Sequence, residues 1–328
     1  MDQIISFVES LKVARKQTHL NLTMFPLLAP EGKKPDYLTM EQALEHDAIK
    51  ITEIGNQGSV PELKLANKGK KGVLIIEGEE LVGAKQNRIV NATFLIVGNT
   101  EVVIPVSCVE QGRWRYKSKE FSSSEKMMHA SLRRKHQEDV KLSLKREKSY
   151  RSNQGRIWDD IADKSARMKV NSPTHAMADV YETYEINLSG FLVKFHLIEC
   201  QVGAVFAING QILGMEVFGC HDTFKRFFSK LIKSYALDAL DLKTKNGNGS
   251  VPPDKVRKFI SFTEGAVFSQ HPSIGIGTNI TLESPAVSGA GFVERKQTLH
   301  LSVFKKDENG NGDRARYQRY STRRSRWL

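Results

Sequence analysis

Cysteine is scarce in this 328-residue chain: Cys108, Cys200 and Cys220 are an odd set with no C-x-x-C pair. That argues against a disulfide framework and a cysteine-held zinc site, and for a reducing compartment. The nine histidines never fall into an H-x-H or H-E-x-x-H spacing, so no metal site is expected. No apolar run approaches the ~20 residues that cross a bilayer. The first eleven residues place Asp2 and Glu9 among Ile4, Ile5, Val8 and Leu11. That is a short amphipathic helix; a secretory signal would begin basic and continue apolar. A cytoplasmic protein with no membrane contact is the expectation. The chain also lacks a P-loop, a G-x-G-x-x-G fingerprint and a G-x-S-x-G elbow, and no cofactor is expected.

What is present is 40% apolar and 26% charged residues, within the ordinary globular range. The net charge of +12 is unevenly placed. Residues 1–112 carry 12 bases and 14 acids, and residues 152–313 carry 18 of each. Residues 113–151 hold 13 bases against 5 acids, and residues 314–328 hold six arginines and no acid. Two segments therefore account for the excess, which points to a local anionic partner and not to a generally basic surface.

Periodicity divides the chain into a helix at 1–14, one α+β domain over 15–305, and an arginine-rich tail at 306–328 that reads as disordered. Within the domain, 15–112 is β-rich, 113–200 helical, and 201–305 a hairpin, a helix and further strands. A strand over 19–27 is expected to stop at Pro26, and 37–47 reads as a short helix. Residues 89–97 and 101–109 flank Gly98-Asn99-Thr100 and predict a hairpin. From 124 onward the period becomes helical, with Met128, Leu132, Val140 and Leu144 on one side and Arg134, Lys141, Lys145 and Lys148 opposite. Helices follow around Ile157 and Ile161 and from Ser172-Pro173, where serine suits the cap and proline the first turn. Asn209-Gly210 predicts a tight hairpin, the phenylalanines at 224, 227 and 228 a core helix, Pro252-Pro253 another helix, and 245–250 a flexible loop. The order of these elements gives an antiparallel β-rich core with a central helical segment.

Two polar clusters stand out. Glu77-Gly78-Glu79-Glu80 is followed by Lys85, Gln86, Asn87 and Arg88 at a strand junction, where two cations and two amides suit an anion such as phosphate. Alone, the same pattern also describes a solvated polar turn. The second cluster, Ser107 to Trp114, offers Glu110, Gln111 and Arg113 at a strand end, with Trp114 able to stack on a planar ring. Cys108 shares strand parity with Val102, Ile104 and Val106, which favours a buried core thiol over a nucleophile.

The runs EGEELVGAKQNRIVNATFLI, VIPVSCVEQGRW and GAVFAINGQILGMEVF resemble the ARPP-type domain family, named for association with ADP-ribosylglycohydrolases and rhodanese–phosphatases. The likeness spans roughly residues 15–305 and leaves the tail outside it. It implies a place in NAD- and ADP-ribose-linked nucleotide metabolism and carries no established catalytic residues. On this basis we expect a protein that binds or processes a nucleotide-like small molecule, with hydrolysis of an ADP-ribose-like nucleotide as the reaction if it is an enzyme. Lys85 and Arg88 would hold phosphates, Gln86, Asn87, Gln111 and Arg113 would orient the ligand, Trp114 would stack on the base, and Glu110 and Glu80 would serve any acid–base step. The alternative is a nucleic-acid-binding protein using the basic helix 125–150 and the tail, with recruitment of an acidic protein as a third possibility. The first two differ in whether 85–88 and 107–114 share a site.

Overall fold

Alternation of apolar side chains sets the largest layer. The strands Gln201–Ile208 and Gln211–Phe218 pair around Asn209-Gly210, whose φ angles of 51° and 74° are those a two-residue hairpin requires. They sit in a nine-stranded antiparallel sheet. Leu22–Leu28 lies on one side with the short edge strands Lys12–Val13 and Gln17–His19, and Gln297–Lys305, Val287–Glu294, Thr278–Glu283 and Val267–Pro272 follow on the other. The computed structural model describes residues 2–30, 34–55, 58–243 and 249–306. The tail beyond 306 and most of the expected loop over 245–250 lie outside these residues.

Successive residues of each strand face opposite ways, so the sheet carries two cores. Val205, Met215, Leu301 and Val303 meet Ile4 and Val8 of the helix Asp2–Ser10, with Val256 and Phe259 of the helix Pro253–Glu264. Phe206, Phe218 and Phe304 meet Phe224, Phe227 and Tyr235 of the helix His221–Asp241, backed by Ile157, Ile161 and Tyr181. No helix among the described residues is long and apolar enough to cross a membrane.

A second body holds the two polar clusters. Tyr37–Thr39, Gly72–Ile75 and Phe94–Ile96 form a three-stranded sheet in which the first pair is parallel. Ile49–Thr52, Glu62–Asn67, Thr100–Cys108, Arg88–Val90, Glu79–Gly83 and Phe121–Met127 form an antiparallel six-stranded one. Ile51, Leu65, Ile75, Phe94, Ile104 and Val106 fill the space between them. The architecture is α+β.

Several local expectations are corrected. The strand expected over 89–97 is two strands in two sheets, and the hairpin at Gly98-Asn99-Thr100 keeps only its base, where Val106 pairs with Val90. Pro105 has no N–H to continue that ladder; Asn91 donates to its carbonyl at 3.1 Å and the chain turns away. Pro26 lies within a strand and does not end it, because it stands opposite the break between the two short edge strands. Residues 37–39 are a strand, and the helix there is only Met40–Glu45, fixed by a Thr39–Gln42 capping box. Residues 121–127 are a strand because they pair with Glu79–Gly83; the basic helix is Ala130–Glu147. The helix expected from Ser172 starts at Met177, since Ser172 Oγ accepts from Ala176 N–H and a β-bridge ties Ala176 to Glu110.

Candidate functional site

The loop between Glu79–Gly83 and Arg88–Val90 is short and bent, with φ of 133° at Gly83 and 38° at Ala84. Its carbonyls turn inward and need donors. Arg113 supplies them: Nη1 donates to Ala84 O at 2.7 Å, and Nη2 to Asn87 Oδ1 at 3.1 Å. The Nε and Nη2 of the same guanidinium grip Glu110 at 2.8 and 2.7 Å, and Asn87 N–H donates to Glu110 Oε2 at 3.0 Å. The 85–88 and 107–114 segments therefore do meet, and they meet as a packed junction. Burial would raise the Glu110 carboxyl, but the Arg113 fork and the Asn87 N–H outweigh it and hold it below the usual carboxylate range. With both oxygens engaged by Arg113, Glu110 is placed to position its neighbours and has little capacity to take a proton.

Arg88 is the exception in this satisfied junction. It is fully buried, and its Nη1 donates to Gln86 Oε1 at 3.0 Å. Among the described residues its Nε and Nη2 have no hydrogen-bond partner. Those two nitrogens form the edge that grips two oxygens of a carboxylate or phosphate, the same edge that Arg113 uses on Glu110. Burial pulls the Arg88 pKa down. Above it lie the rings of Trp114 and Tyr116, which are 49% and 53% exposed. Lys85 Nζ is 5.1 Å from each ring centroid, and the Arg88 guanidinium is 5.8 Å from that of Trp114. Cys108 completes the floor, fully buried with Sγ 3.2 Å from Gln86 Oε1, and burial pushes its thiol up. It is a buried thiol, as its strand parity suggested, though it faces polar groups.

Register separates the remaining residues. Arg88 stands opposite Leu81 and Cys108, whereas Glu80 stands with Ile89 and Ser107, so Glu80 and Arg88 point to opposite faces of the sheet. Glu80 is buried, its carboxyl pushed up to about 7 by desolvation against the pull of Ser124, Lys126 and Asn87. Gln111 is exposed and contributes its backbone carbonyl to Gln86 at 3.4 Å. Asn209, from the third run, belongs to the distant hairpin, where its side chain donates to Leu242 O at 2.9 Å. On the basic helix, Lys141 is buried against Ser288 and Glu283, and Lys145 also reaches Glu283. Two of its four expected cations are therefore spent within the fold. Among the described residues no group of three His, Cys, Asp or Glu side chains is placed to hold a metal.

A second buried polar group went unread in the sequence. Arg133 and Glu216, both fully buried, pair at 2.8 Å between the helix Ala130–Glu147 and the large sheet. Tyr235 donates to Glu216 at 3.2 Å, His300 Nε2 lies 3.5 Å from it, and Gln137 bonds Glu77. Gly78 is required here: its φ is +80°, and a Cβ would lie 2.8 Å from Arg133 Cδ. Burial pushes Glu77 up to about 7 despite Gln137 and Arg133. Since that value lies above the ordinary 4.5, its contribution to stability is present at low pH and is lost as pH rises through about 7. Buried His136, pushed down to about 3, acts with the opposite sign, losing its contribution as pH falls below its ordinary 6.5. The difference between variant and wild type isolates the glutamate. Glu77→Gln should gain stability relative to wild type as pH rises from about 5 to about 8, by up to a few kcal/mol. Thermal unfolding across that range checks it; a difference that is flat or falls with pH would refute the assignment.

The family model ARPP-1, described as ARG and Rhodanese-Phosphatase-superfamily-associated Protein domain, matches residues 10–304. That span includes both polar clusters and the Asn209-Gly210 hairpin and stops before the arginine-rich segment. No curated protein and no solved structure matches the chain.

Proposed function

This chain belongs to the ARPP-1 family, and on that premise we propose that it binds a nucleotide-like ligand of the ADP-ribose class at Arg88, Lys85 and Trp114. The observation that carries the reading is the unused Nε/Nη2 edge of a fully buried arginine. A buried cation with two donors unmade costs stability in the empty protein, and an oxyanion is the group that satisfies it. One phosphate oxygen pair seats on Arg88, with Trp114 swinging aside to admit it, and Lys85 neutralises the next phosphate. The exposed faces of Trp114 and Tyr116 offer a platform on which an adenine ring stacks. Gln86 and Asn87 fix the loop, while Glu110 and Arg113 hold the two segments together and shape the site. Glu80, on the other face of the sheet, tunes the junction and does not reach the ligand. The family's name, with its link to ADP-ribosylglycohydrolases, favours ADP-ribose and NAD over other diphosphates as the first ligands to try.

Calorimetric titration with ADP-ribose, NAD, ADP and adenosine tests this reading. The phosphorylated ligands should bind and uncharged adenosine should bind far more weakly. Removing the stacking ring in Trp114→Ala should cost about 1–3 kcal/mol, or roughly 5- to 150-fold in affinity. Failure of every phosphorylated ligand to bind, or adenosine binding as tightly as ADP-ribose, would sink the proposal.

A further inference from the structure

We infer that the chain carries a second anion site, for a small oligophosphate, in the cleft between the end of the three-stranded sheet and the last hairpin of the large sheet. The cleft measures about 810 Å³ and includes none of the residues assigned to the nucleotide site. Its volume suits a small molecule. Three separate segments bring cations to it: Lys34 before the strand Tyr37–Thr39, Lys70 in the turn before Gly72–Ile75, and Arg295-Lys296 at the hairpin tip. The acids lining it are Asp36 and Glu294, and Glu294 is paired with Arg295 at 3.1 Å. Lys34, Lys70 and Lys296 make no ion pair among the described residues. The balance inside the cleft is positive.

The hairpin tip supplies an independent reason. Val287–Glu294 and Gln297–Lys305 are joined by two residues, Arg295 at φ 44° and Lys296 at φ 65°. Both lie in the left-handed region, which asparagine and glycine adopt at little cost and long side chains do not. Two other two-residue turns join strands of this sheet: Asn209-Gly210 uses that inexpensive pair, and Leu20-Asn21 places only its first residue there, Leu20 at φ 50°. Arginine and lysine therefore occupy the two positions where the backbone least favours them, and both line the cleft. Local strain kept where a simpler turn would fold better is a mark of function. A string of phosphates suits cations arriving from several directions, because each lysine meets a separate charge and the arginine can hold two oxygens at once.

The test uses the full chain, inorganic tripolyphosphate as probe, and calorimetry at low salt. The wild type is expected to bind two equivalents, one here and one at Arg88. The double variant Arg295→Asn with Lys296→Gly should lose one equivalent, with at least about a tenfold fall in affinity at this cleft. Its melting temperature should hold or rise, because the turn is now unstrained. Arg88→Met should keep binding at the cleft. Lys34→Gln with Lys70→Gln, outside the turn, should weaken the same equivalent and keeps the test decisive if the turn variant fails to fold. One equivalent lost in the turn variant and untouched by Arg88→Met upholds this site even if the nucleotide site is wrong. Unchanged tripolyphosphate binding in both cleft variants overturns it.

Discussion

Replacing Arg133 by methionine is expected to remove about 3–5 kcal/mol of stability, measured by urea denaturation near pH 8. The side chain is fully buried, 2.8 Å from Glu216, and its guanidinium faces the rings of Tyr235 and Phe304 at 5.9 and 5.4 Å. Methionine fills much of the same volume, so the loss is chiefly electrostatic: Glu216 and Glu77 remain in the core without their counter-ion. Burial would lower the Arg133 pKa, but the Glu216 carboxylate outweighs it and raises the group above its ordinary value. The deficit should shrink at about pH 5, where the stranded Glu77, pushed up to about 7 by burial, takes up its proton and ceases to be a charge. A loss under about 1 kcal/mol, or one equal at both pH values, would mean that the pair contributes little beyond its volume.

Arg88→Met should act in the opposite direction on stability. Arg88 is as buried as Arg133, but where Arg133 is paired with Glu216 at 2.8 Å, Arg88 makes no ion pair among the described residues and its Nε and Nη2 have no hydrogen-bond partner there. Removing a buried cation with unmade donors should leave the melting temperature unchanged or raise it, since each unsatisfied donor costs about 1–3 kcal/mol. The same change should cost at least about a hundredfold in affinity for ADP-ribose, the equivalent of two charge-assisted hydrogen bonds. Thermal unfolding and calorimetry on one preparation measure both. If the variant melts lower and binds equally well, Arg88 is a structural residue and the site is misplaced.

The fold was legible where short-range physics decides it. Alternation marked the strands at 201–218, Asn209-Gly210 fixed their turn, and the phenylalanines at 224, 227 and 228 marked a core helix. It was illegible where pairing between distant segments overrode local preference. Residues 124–127 read as helix until pairing with Glu79–Gly83 made them part of a strand, and a strand over 89–97 read as continuous until Pro105 interrupted its partner. The two polar clusters led to the expectation that 85–88 and 107–114 line one pocket; they meet, but as a packed junction. The sequence did not show that Arg113 closes it, leaving Arg88 as the unfilled group.

The buried ion pair did leave a trace. Glu216 is a carboxylate in a strand whose every neighbour from Ile212 to Phe218 is apolar, and His300 and Ser302 share one face of TLHLSVF. Register places Glu216 against Ser302 and Phe218 against His300. A charged residue alone on an apolar strand has to meet a partner inside. Arg133 was harder to see, because it sits beside Arg134 and Lys135 in a segment whose charge reads as surface.

The central claim concerns two nitrogens, and a crystal structure with ADP-ribose addresses them directly. A phosphate oxygen pair should lie about 2.7–2.9 Å from Nε and Nη2 of Arg88, with the Trp114 ring displaced and stacked on the base. Density for the ligand anywhere else, with those nitrogens capped by ordered water or by the nearby buried carboxylate of Glu53, which accepts from Lys85 N–H at 3.2 Å, would contradict it.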